Sequence, residues 1–227
     1  MGLIGTGVYS IRQAARLVGA EPASVRRWLL GYERKQQRYE PLWAPELAAE
    51  DLGEPVLGFR DLLELRLVNA FVRHGVSLRV IRATADFARD EFGTPYPLTA
   101  KRFLTDGRTI FLEAVRSAGE DEMLDVSRRQ FVFSDIVRPS IYAGIEYSDD
   151  GGHARRWFPL GPDRKLVVLD PAVQFGAPIV NRAGVPTDTI YSSYLAEGKD
   201  RQQVARIFDI RPVEVDAAVR FEMQLAA

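Results

Sequence analysis

The sequence contains no cysteine and no long apolar run. Without cysteine, disulfides, thiolate metal sites and a cysteine nucleophile are excluded, which fits a reducing compartment. No stretch of about 18 apolar residues exists, so we expect no membrane span. The uncharged start from Met1 to Val8 also lacks the basic region of a signal peptide. These features predict a cytoplasmic protein with no membrane partner.

Histidine is scarce, and the usual signatures of catalysis are missing. The two histidines are His74 and His153, and neither has a neighbouring carboxylate or hydroxyl that suggests a triad. His74, next to Gly75, is expected to end a helix. The early glycines precede no strand–helix unit, and no metal-ligand spacing appears. We therefore predict no enzyme, with no catalytic residues, no metal and no cofactor.

Net charge is also small, although positive charge is unevenly distributed. The chain carries 46% apolar and 27% charged residues, with a net charge of −1. That composition is typical of a folded globular protein, and it gives no overall attraction to nucleic acid. Residues 1–39, however, hold seven bases and two acids, so this segment is +5 and the remainder −6. The asymmetry indicates a local nucleic-acid-binding patch or an uneven solvated surface.

Two short helices are predicted within the basic segment. Ser10 is a good N-cap, and Gln13 completes a capping box three residues later. Gly19 supplies a turn that can take positive φ. Pro22 suits the first position of a second helix, which we expect to run to about Leu30.

The second helix is predicted to be buried on one side and basic on the other. Val25, Trp28 and Leu29 share one face, where Trp28 is expected in the core rather than in contact with DNA. Arg26 and Arg27 point away, where a guanidinium can bind a guanine edge or a phosphate. The candidate DNA-binding residues are hydroxyls near helix starts and bases of the two helices and the following segment: Ser10, Arg12, Ser24, Arg26, Arg27, Arg34, Lys35 and Arg38.

This part of the chain resembles the MerR-type winged helix-turn-helix. The resemblance rests on Tyr9–Ile11, Ala14–Gly19 and Ser24–Trp28. It implies that the second helix enters the major groove and that a wing from Gly31 to Trp43 touches the DNA backbone. Glu21 departs from the family pattern, which usually has serine or another small polar cap there. A helix packing unit that binds nothing is the alternative interpretation.

A connector and two longer helices are expected next. Ala44–Gly58 is rich in proline, glycine and acids. An apolar helix is predicted from about Asp61 to Val72, and a second helix from Ser77 to just before Gly93. The pair predicts a helical hairpin, while a second helix-turn-helix or a dimer contact remains open.

The pattern then changes to one that predicts strands. A hairpin is expected over residues 103–112, around the turn Thr105–Arg108. A second hairpin is expected over residues 141–158, around Ser148–Gly152. Phe131–Phe133 is a further candidate strand.

The last part of the chain predicts a strand followed by three helices. Leu166–Leu169 is a short apolar strand. The helices are expected to begin at Thr187, to span about Asp200–Phe208, and to span about Pro212–Leu225.

This C-terminal module resembles the domain-of-unknown-function 433 family, which recurs in VapB-type antitoxins. The matching segments are Leu169–Pro171, Phe175–Val180, Gly184–Thr187, Leu195–Gly198 and Val204–Phe208. With the MerR-like start, the resemblance implies a VapB-type antitoxin. It further implies that the protein binds and neutralises a PIN-like ribonuclease toxin, and that it represses its own operon by binding operator DNA as a homodimer.

The protein could neutralise such a nuclease by placing a cationic side chain among the acidic residues of the nuclease site. Arg206, Arg211 and Arg220 are the candidate toxin-binding residues, although for any single one of them the favoured interpretation is a surface charge paired with Asp209 or Glu214.

The predicted fold class is α+β, mainly α: a winged helix-turn-helix, a helical hairpin, a small β-rich middle and a three-helix module. The corresponding domains are 1–45, 46–95, 96–162 and 163–227. Two other functions remain open. One is a MerR-like transcriptional regulator that senses a small molecule, and the other is an enzyme or adaptor that carries an incidental helix-turn-helix.

Overall fold

A computed structural model describes residues 5–34, 36–47, 55–118, 143–148 and 152–226. The fold is α+β and mainly helical, in agreement with the predicted class. The described residues form two units. The N-terminal unit comprises those within Ser10–Tyr142 and Tyr147–Ala154, and the C-terminal unit comprises the others. The four domains expected from the sequence stay predictions.

The N-terminal unit contains five helices. They are α1 (Ile11–Val18), α2 (Pro22–Leu30), α3 (Phe59–Arg73), α4 (Leu78–Phe92) and α5 (Phe103–Ser117). Four short strands, β1 (Tyr9–Ser10), β2 (Tyr32–Arg34), β3 (Gln37–Tyr39) and β4 (Val56–Leu57), pair as β1–β4 and β2–β3. The helices predicted at 11–18, 22–30, 61–72 and 77–92 are confirmed within one or two residues.

Helix α3 lies at the centre of this unit. Most of its residues are buried, including Phe59, Leu63 and Phe71, because it is apolar on nearly all sides rather than along one stripe. Helix α4 is capped by Ser77, whose Oγ accepts from the Val80 N–H, and ends at Gly93 in the left-handed conformation.

The hairpin predicted over residues 103–112 is wrong, because this stretch belongs to α5. Apolar residues recur there at three- and four-residue spacing, which is the period of a helix. Gly107 does not make a turn: it is buried, and an added Cβ would lie 2.8 Å from ring carbons of Phe103. Phe111 stacks on Phe71, with ring centroids 5.6 Å apart. Helix α5 packs mainly on α4, so α4 is paired with α5 more extensively than with α3.

The second predicted hairpin is confirmed. Strands β5 (Ile145–Tyr147) and β6 (Ala154–Trp157) are neighbours in a four-stranded sheet of order β5-β6-β7-β8. The other strands are β7 (Val167–Leu169) and β8 (Pro178–Val180), which run antiparallel. The candidate strand at Phe131–Phe133 lies outside the described residues.

The C-terminal unit ends in three helices, as expected from the sequence. These are α6 (Thr187–Ala196), α7 (Arg201–Ile207) and α8 (Pro212–Ala226). Helix α8 packs on both α6 and α7. Their core is a buried apolar cluster made of Val180, Ile190, Val204, Ala205, Ile210, Val215 and Ala218.

The start of the chain is part of the C-terminal unit. The Val8 N–H donates to Phe175 O at 2.9 Å, and the Tyr9 hydroxyl donates to Gly176 O at 2.7 Å. Gln174 and Phe175 both have positive φ values, of 48° and 52°. These are strained positions for residues other than glycine.

Candidate functional site

The turn between α1 and α2 is fixed from both sides. Ser10 and Gln13 form the predicted capping box at the start of α1. Gly19 ends α1 in the left-handed conformation, with φ 67°. From α3, the side-chain amide of Asn69 donates to Val18 O at 2.9 Å and to Gly19 O at 3.3 Å. Asn69 therefore satisfies carbonyls that a helix end leaves unpaired.

Helix α2 has one buried and one exposed face, as predicted. Val25, Trp28 and Leu29 are buried, so Trp28 belongs to the core. On the opposite face Arg26 and Arg27 are exposed.

The candidate residues Arg12, Ser24, Arg26 and Arg27 differ in exposure and in partners. Ser24 is partly buried, and its Oγ accepts from Arg27 Nη2 at 3.1 Å. Arg12 on α1 is exposed. Among the described residues, no carboxylate forms an ion pair with Arg12, Arg26 or Arg27. Their charge is therefore directed to solvent.

An antiparallel hairpin follows α2 within the range implied for a wing. Its register pairs Tyr32 with Tyr39 and Glu33 with Arg38. The two tyrosine rings stack with centroids 4.6 Å apart and planes 8° from parallel, a cross-strand contact of the kind that stabilises hairpins.

The three basic residues predicted on this hairpin differ in what the structure describes of them. Arg38 is exposed and pairs with Glu40 at 2.9 Å, so part of its charge is already neutralised. Arg34 lies in β2. Lys35 lies outside the described residues.

The chain leaving the hairpin is held by arginines of α4. Arg82 Nη1 donates to Pro41 O at 2.8 Å, and Nη2 donates to Glu40 O at 2.7 Å. Arg89 donates more weakly to Leu42 O, at 3.4 Å. These contacts join residues more than 40 positions apart in sequence, so no local pattern indicated them.

The same chain segment is also anchored to α3 by a buried carboxylate. Asp61 accepts from the Trp43 indole N–H and from the Gly58 N–H at 2.8 Å each, and from the Glu46 N–H at 3.0 Å. Burial raises the pKa of Asp61 above its ordinary value, and these hydrogen bonds oppose the rise.

A second buried carboxylate lies one turn further along α3. Glu64 Oε1 accepts from both the N–H and the hydroxyl of Thr99, and Thr99 O accepts from the Tyr147 hydroxyl at 3.2 Å. Burial raises the pKa of Glu64 to about 8, although the Thr99 hydrogen bonds act in the opposite direction. Both carboxyl groups have a structural role, because each accepts hydrogen bonds from donors of the protein itself.

The C-terminal candidate residues lie on the three-helix module. Arg206 and Arg220 are exposed, and Arg206 Nη2 donates to Gln203 Oε1 at 2.8 Å. Arg211 pairs with the buried Glu214 at 3.0 Å, the ordinary surface role that the sequence left open for it. The three arginines are thus not equivalent, since only Arg211 is held by an acid in the described part of the chain.

Sequence reasoning missed Arg182, which is the second partner of Glu214. Its Nε lies 3.2 Å from Glu214 Oε1, and its Nη2 donates to Asp209 O at 3.1 Å. Burial would raise the pKa of Glu214, but the hydrogen bonds from Arg211 and Arg182 prevail and lower it to about 2. This arginine–carboxylate–arginine cluster fixes the turn between α7 and α8.

Both histidines make local contacts in the described part of the chain. His74 caps the end of α3, as predicted, with Nδ1 2.8 Å from Ala70 O. His153 is exposed, and its N–H donates to Ser148 Oγ.

No group of three or more metal-ligating side chains occurs in the described part of the chain. Likewise, none of the described helices is sufficiently long and apolar to traverse a bilayer.

The fold is similar to that of a solved structure. The X-ray crystal structure of RV2018 from Mycobacterium tuberculosis superposes with a TM-score of 0.66 over 93% of this chain and 96% of that chain, at 21% identity. The likeness supports the α+β architecture.

In sequence, the chain is similar to a protein of Mycobacterium tuberculosis named "Putative antitoxin VapB45". The two are 27% identical over 229 residues, which cover 93% of this chain and 92% of the relative. No protein-family model matches the sequence. The MerR-like and domain-of-unknown-function 433 resemblances therefore stay predictions.

Proposed function

We propose that this protein is the antitoxin of a type II toxin–antitoxin system, a non-enzymatic regulator that binds a partner toxin and its own operator DNA. The similarity to a protein named as an antitoxin extends over nearly the whole of both chains, which supports the same role for the whole molecule rather than for one shared part.

The observation that carries the DNA-binding part is the exposed pair Arg26 and Arg27 on α2. Their helix buries its opposite face, so it can be presented to a duplex without losing its packing. With α1 before it and the β2–β3 hairpin after it, α2 is proposed as the recognition helix of a winged helix-turn-helix. Arg26 and Arg27 then read bases or bind phosphates, while the hairpin contacts the DNA backbone.

The toxin-binding part is assigned to the C-terminal unit. The sequence resemblance implies a PIN-like ribonuclease, whose acids hold Mg²⁺. Arg206 and Arg220 are the arginines best placed to approach such a cluster, because Arg211 is already paired with Glu214. The protein would act in the cytoplasm, and a homodimer would match the two halves of a palindromic operator.

Co-expression with the neighbouring reading frame tests the proposal directly. We expect a stable complex with a small nuclease, loss of its ribonuclease activity in the complex, and binding of a duplex taken from the region upstream of the protein's own gene. Failure to form any complex with a PIN-like protein would remove the antitoxin assignment.

A regulator that senses a small molecule is the second candidate. The observation behind it is an open depression on the α4–α5 pair, where Phe87 and Leu112 lie beside the polar groups of Thr109, Glu113 and Arg116. Binding sites commonly combine an apolar lining with a few polar groups. Operator binding that is unchanged by any metabolite fraction, together with toxin neutralisation, would decide against this candidate.

A further inference from the structure

The hairpin formed by β2 and β3 has little support of its own. It consists of two three-residue strands, and an isolated two-stranded hairpin is marginal in water. A wing that must become ordered when it meets DNA loses binding free energy to that ordering. Groups outside the hairpin must therefore hold it if it is to meet a duplex in one fixed orientation.

The base of the hairpin is closed against the end of α2. Gly31, the C-cap of α2, has φ 72°, and an added Cβ would lie 2.4 Å from Tyr39 O, so the end of α2 approaches the end of β3 too closely for any larger residue. Three residues beyond Tyr39, the Leu42 N–H donates to Trp28 O at 2.9 Å. The chain that leaves β3 is thereby tied to the carboxyl end of the proposed recognition helix.

Arg82 of α4 completes this closure with a two-pronged contact. Its two terminal nitrogens each donate to a different, consecutive carbonyl, Glu40 O and Pro41 O, at 2.7 and 2.8 Å. Hydrogen bonds from a charged donor are stronger than neutral ones, and the planar guanidinium fixes both carbonyls in one geometry. Because both nitrogens are engaged, Arg82 is suited to hold the hairpin rather than to touch DNA.

We infer that Arg82 is a positioning residue of the nucleic-acid interface, which holds the chain leaving the β2–β3 hairpin in the place where Leu42 ties it to α2, so that wing and helix meet the duplex as one rigid surface. This inference rests on the proposed DNA-binding function. It assigns a role to α4, a helix that carries none of the candidate DNA contacts.

The test compares Arg82→Ala and Arg82→Lys with a matched control, Arg79→Ala. Arg79 is an exposed arginine one turn earlier on α4, and its Nη1 donates to Ala118 O at 3.1 Å, a carbonyl at the end of α5. Hydrogen exchange is measured on the full-length proteins without DNA. In Arg82→Ala we expect the backbone amides of residues 37–40 and of Leu42 to exchange about tenfold faster or more, while those of α1 and α2 keep their wild-type rates.

Binding to the upstream duplex is then measured at low and moderate salt. Arg82→Ala should bind about three- to thirtyfold more weakly, with a shallower salt dependence because wing contacts to phosphates are lost. Arg82→Lys, which can donate to one carbonyl at a time, should fall between wild type and alanine. Arg79→Ala should match the wild type in both measurements.

Unchanged exchange of the hairpin amides in Arg82→Ala overturns the inference, whatever the protein binds. So does a loss of affinity that keeps the wild-type salt dependence and follows only the folded fraction measured by denaturation. If the wild type binds no upstream duplex while the hairpin still loosens in Arg82→Ala, the proposed function fails and the mechanical role of Arg82 stands.

Discussion

Glu64 Oε1 accepts two hydrogen bonds from one residue, Thr99, through its backbone N–H and its hydroxyl, each at 2.9 Å. Glu64 lies on α3, and Thr99 lies in the segment between α4 and α5. The contact therefore joins two parts of the N-terminal unit that are 35 residues apart in sequence. The carboxyl is almost completely buried, and this burial makes the unit sensitive to proton concentration.

The stability of the N-terminal unit should decrease as pH rises. The pKa of Glu64 is about 8 in the folded protein, raised by burial from an ordinary value of 4.5, with Asp61 adding to the rise and Arg89 opposing it. The protonated carboxyl is thus favoured by folding. The stability that the protonated carboxyl contributes is fully present below the pKa of the unfolded state and is lost as pH rises through the pKa of the folded state. Over this range the free energy of unfolding decreases by up to about 1.4 kcal/mol per pH unit. Urea denaturation at several pH values between about 5 and 8 measures this slope.

The matched variant for this measurement is Glu64→Gln. Its amide oxygen can accept the same two hydrogen bonds without titrating, so the slope over this pH range should become shallower. An equally steep slope in the glutamine variant would show that another group is responsible.

Removing Arg27 should weaken DNA binding without unfolding the protein. Arg27→Ala is expected to cost about 1–3 kcal/mol of operator binding if the side chain reads a base, because its only described hydrogen bond within the protein is the exposed one to Ser24. Fluorescence anisotropy with the upstream duplex measures the loss. Arg220→Ala, an exposed arginine of the C-terminal unit, serves as the control and should bind DNA normally. Equal affinities for all three proteins would contradict the assignment of α2 as the recognition helix.

Reversing the charge of an arginine on α8 should weaken binding to the toxin rather than binding to DNA. Arg220→Glu places a negative charge where the proposal requires attraction to acids, so the affinity for the toxin should fall at least about tenfold. Isothermal titration with the purified toxin measures this effect, and Arg27→Ala is the control that should retain wild-type toxin affinity. Full neutralisation by Arg220→Glu would move the toxin contact away from this face of α8.

Glu214 should be a major contributor to the stability of the C-terminal unit. The side chain is buried and accepts from the Arg211 N–H at 2.7 Å, from the Arg211 guanidinium and from Arg182. Glu214→Gln should cost about 1–3 kcal/mol of unfolding free energy, because the two arginines lose a negatively charged partner and one of its two acceptor oxygens is replaced by an NH2 donor. Asp216→Asn is the matched control, since its ion pair with Arg201 is exposed and such pairs contribute at most about 1 kcal/mol.

The pH dependence of this cluster has the opposite sign to that of Glu64. The pKa of Glu214 is lowered to about 2 in the folded protein. Its contribution is present above the unfolded pKa of 4.5 and is lost as pH falls through about 2. Acid denaturation of Glu214→Gln should lack this part of the transition, and an unchanged acid transition would exclude the cluster as its source.

The sequence was most informative where structure is set by neighbouring residues. The capping box at Ser10, the turn at Gly19 and the proline at the start of α2 are local signals, and they placed both helices correctly. Helix α5 was missed because Thr105–Arg108 has the composition of a turn, whereas Gly107 is there to make room for the Phe103 ring. The helical spacing of the apolar residues was present in the sequence, but the turn-like composition of this stretch favoured a hairpin over it.

The site could be predicted only in part. The exposed arginines of α2 follow from helical periodicity, so Arg26 and Arg27 were identified from spacing alone. The contacts from Arg82 and Asn69 to the segment that contains α1, α2 and the β2–β3 hairpin join residues about 40 to 50 positions apart. Since many surface arginines and asparagines are equivalent in sequence, only coordinates distinguish the ones that reach back to the N-terminal helices.

The hydrogen bond from Tyr9 to Gly176 has a consequence for how the molecule is made. The two residues lie 167 positions apart in the chain, and both belong to the C-terminal unit. During synthesis on the ribosome, Tyr9 emerges before its acceptor, and their hydrogen bond cannot form until the 167 positions that separate them have been translated. Helices α1 and α2 can assemble in that interval, so the nascent chain would acquire its two units in a set order, with the residues that precede α1 completing the C-terminal unit last.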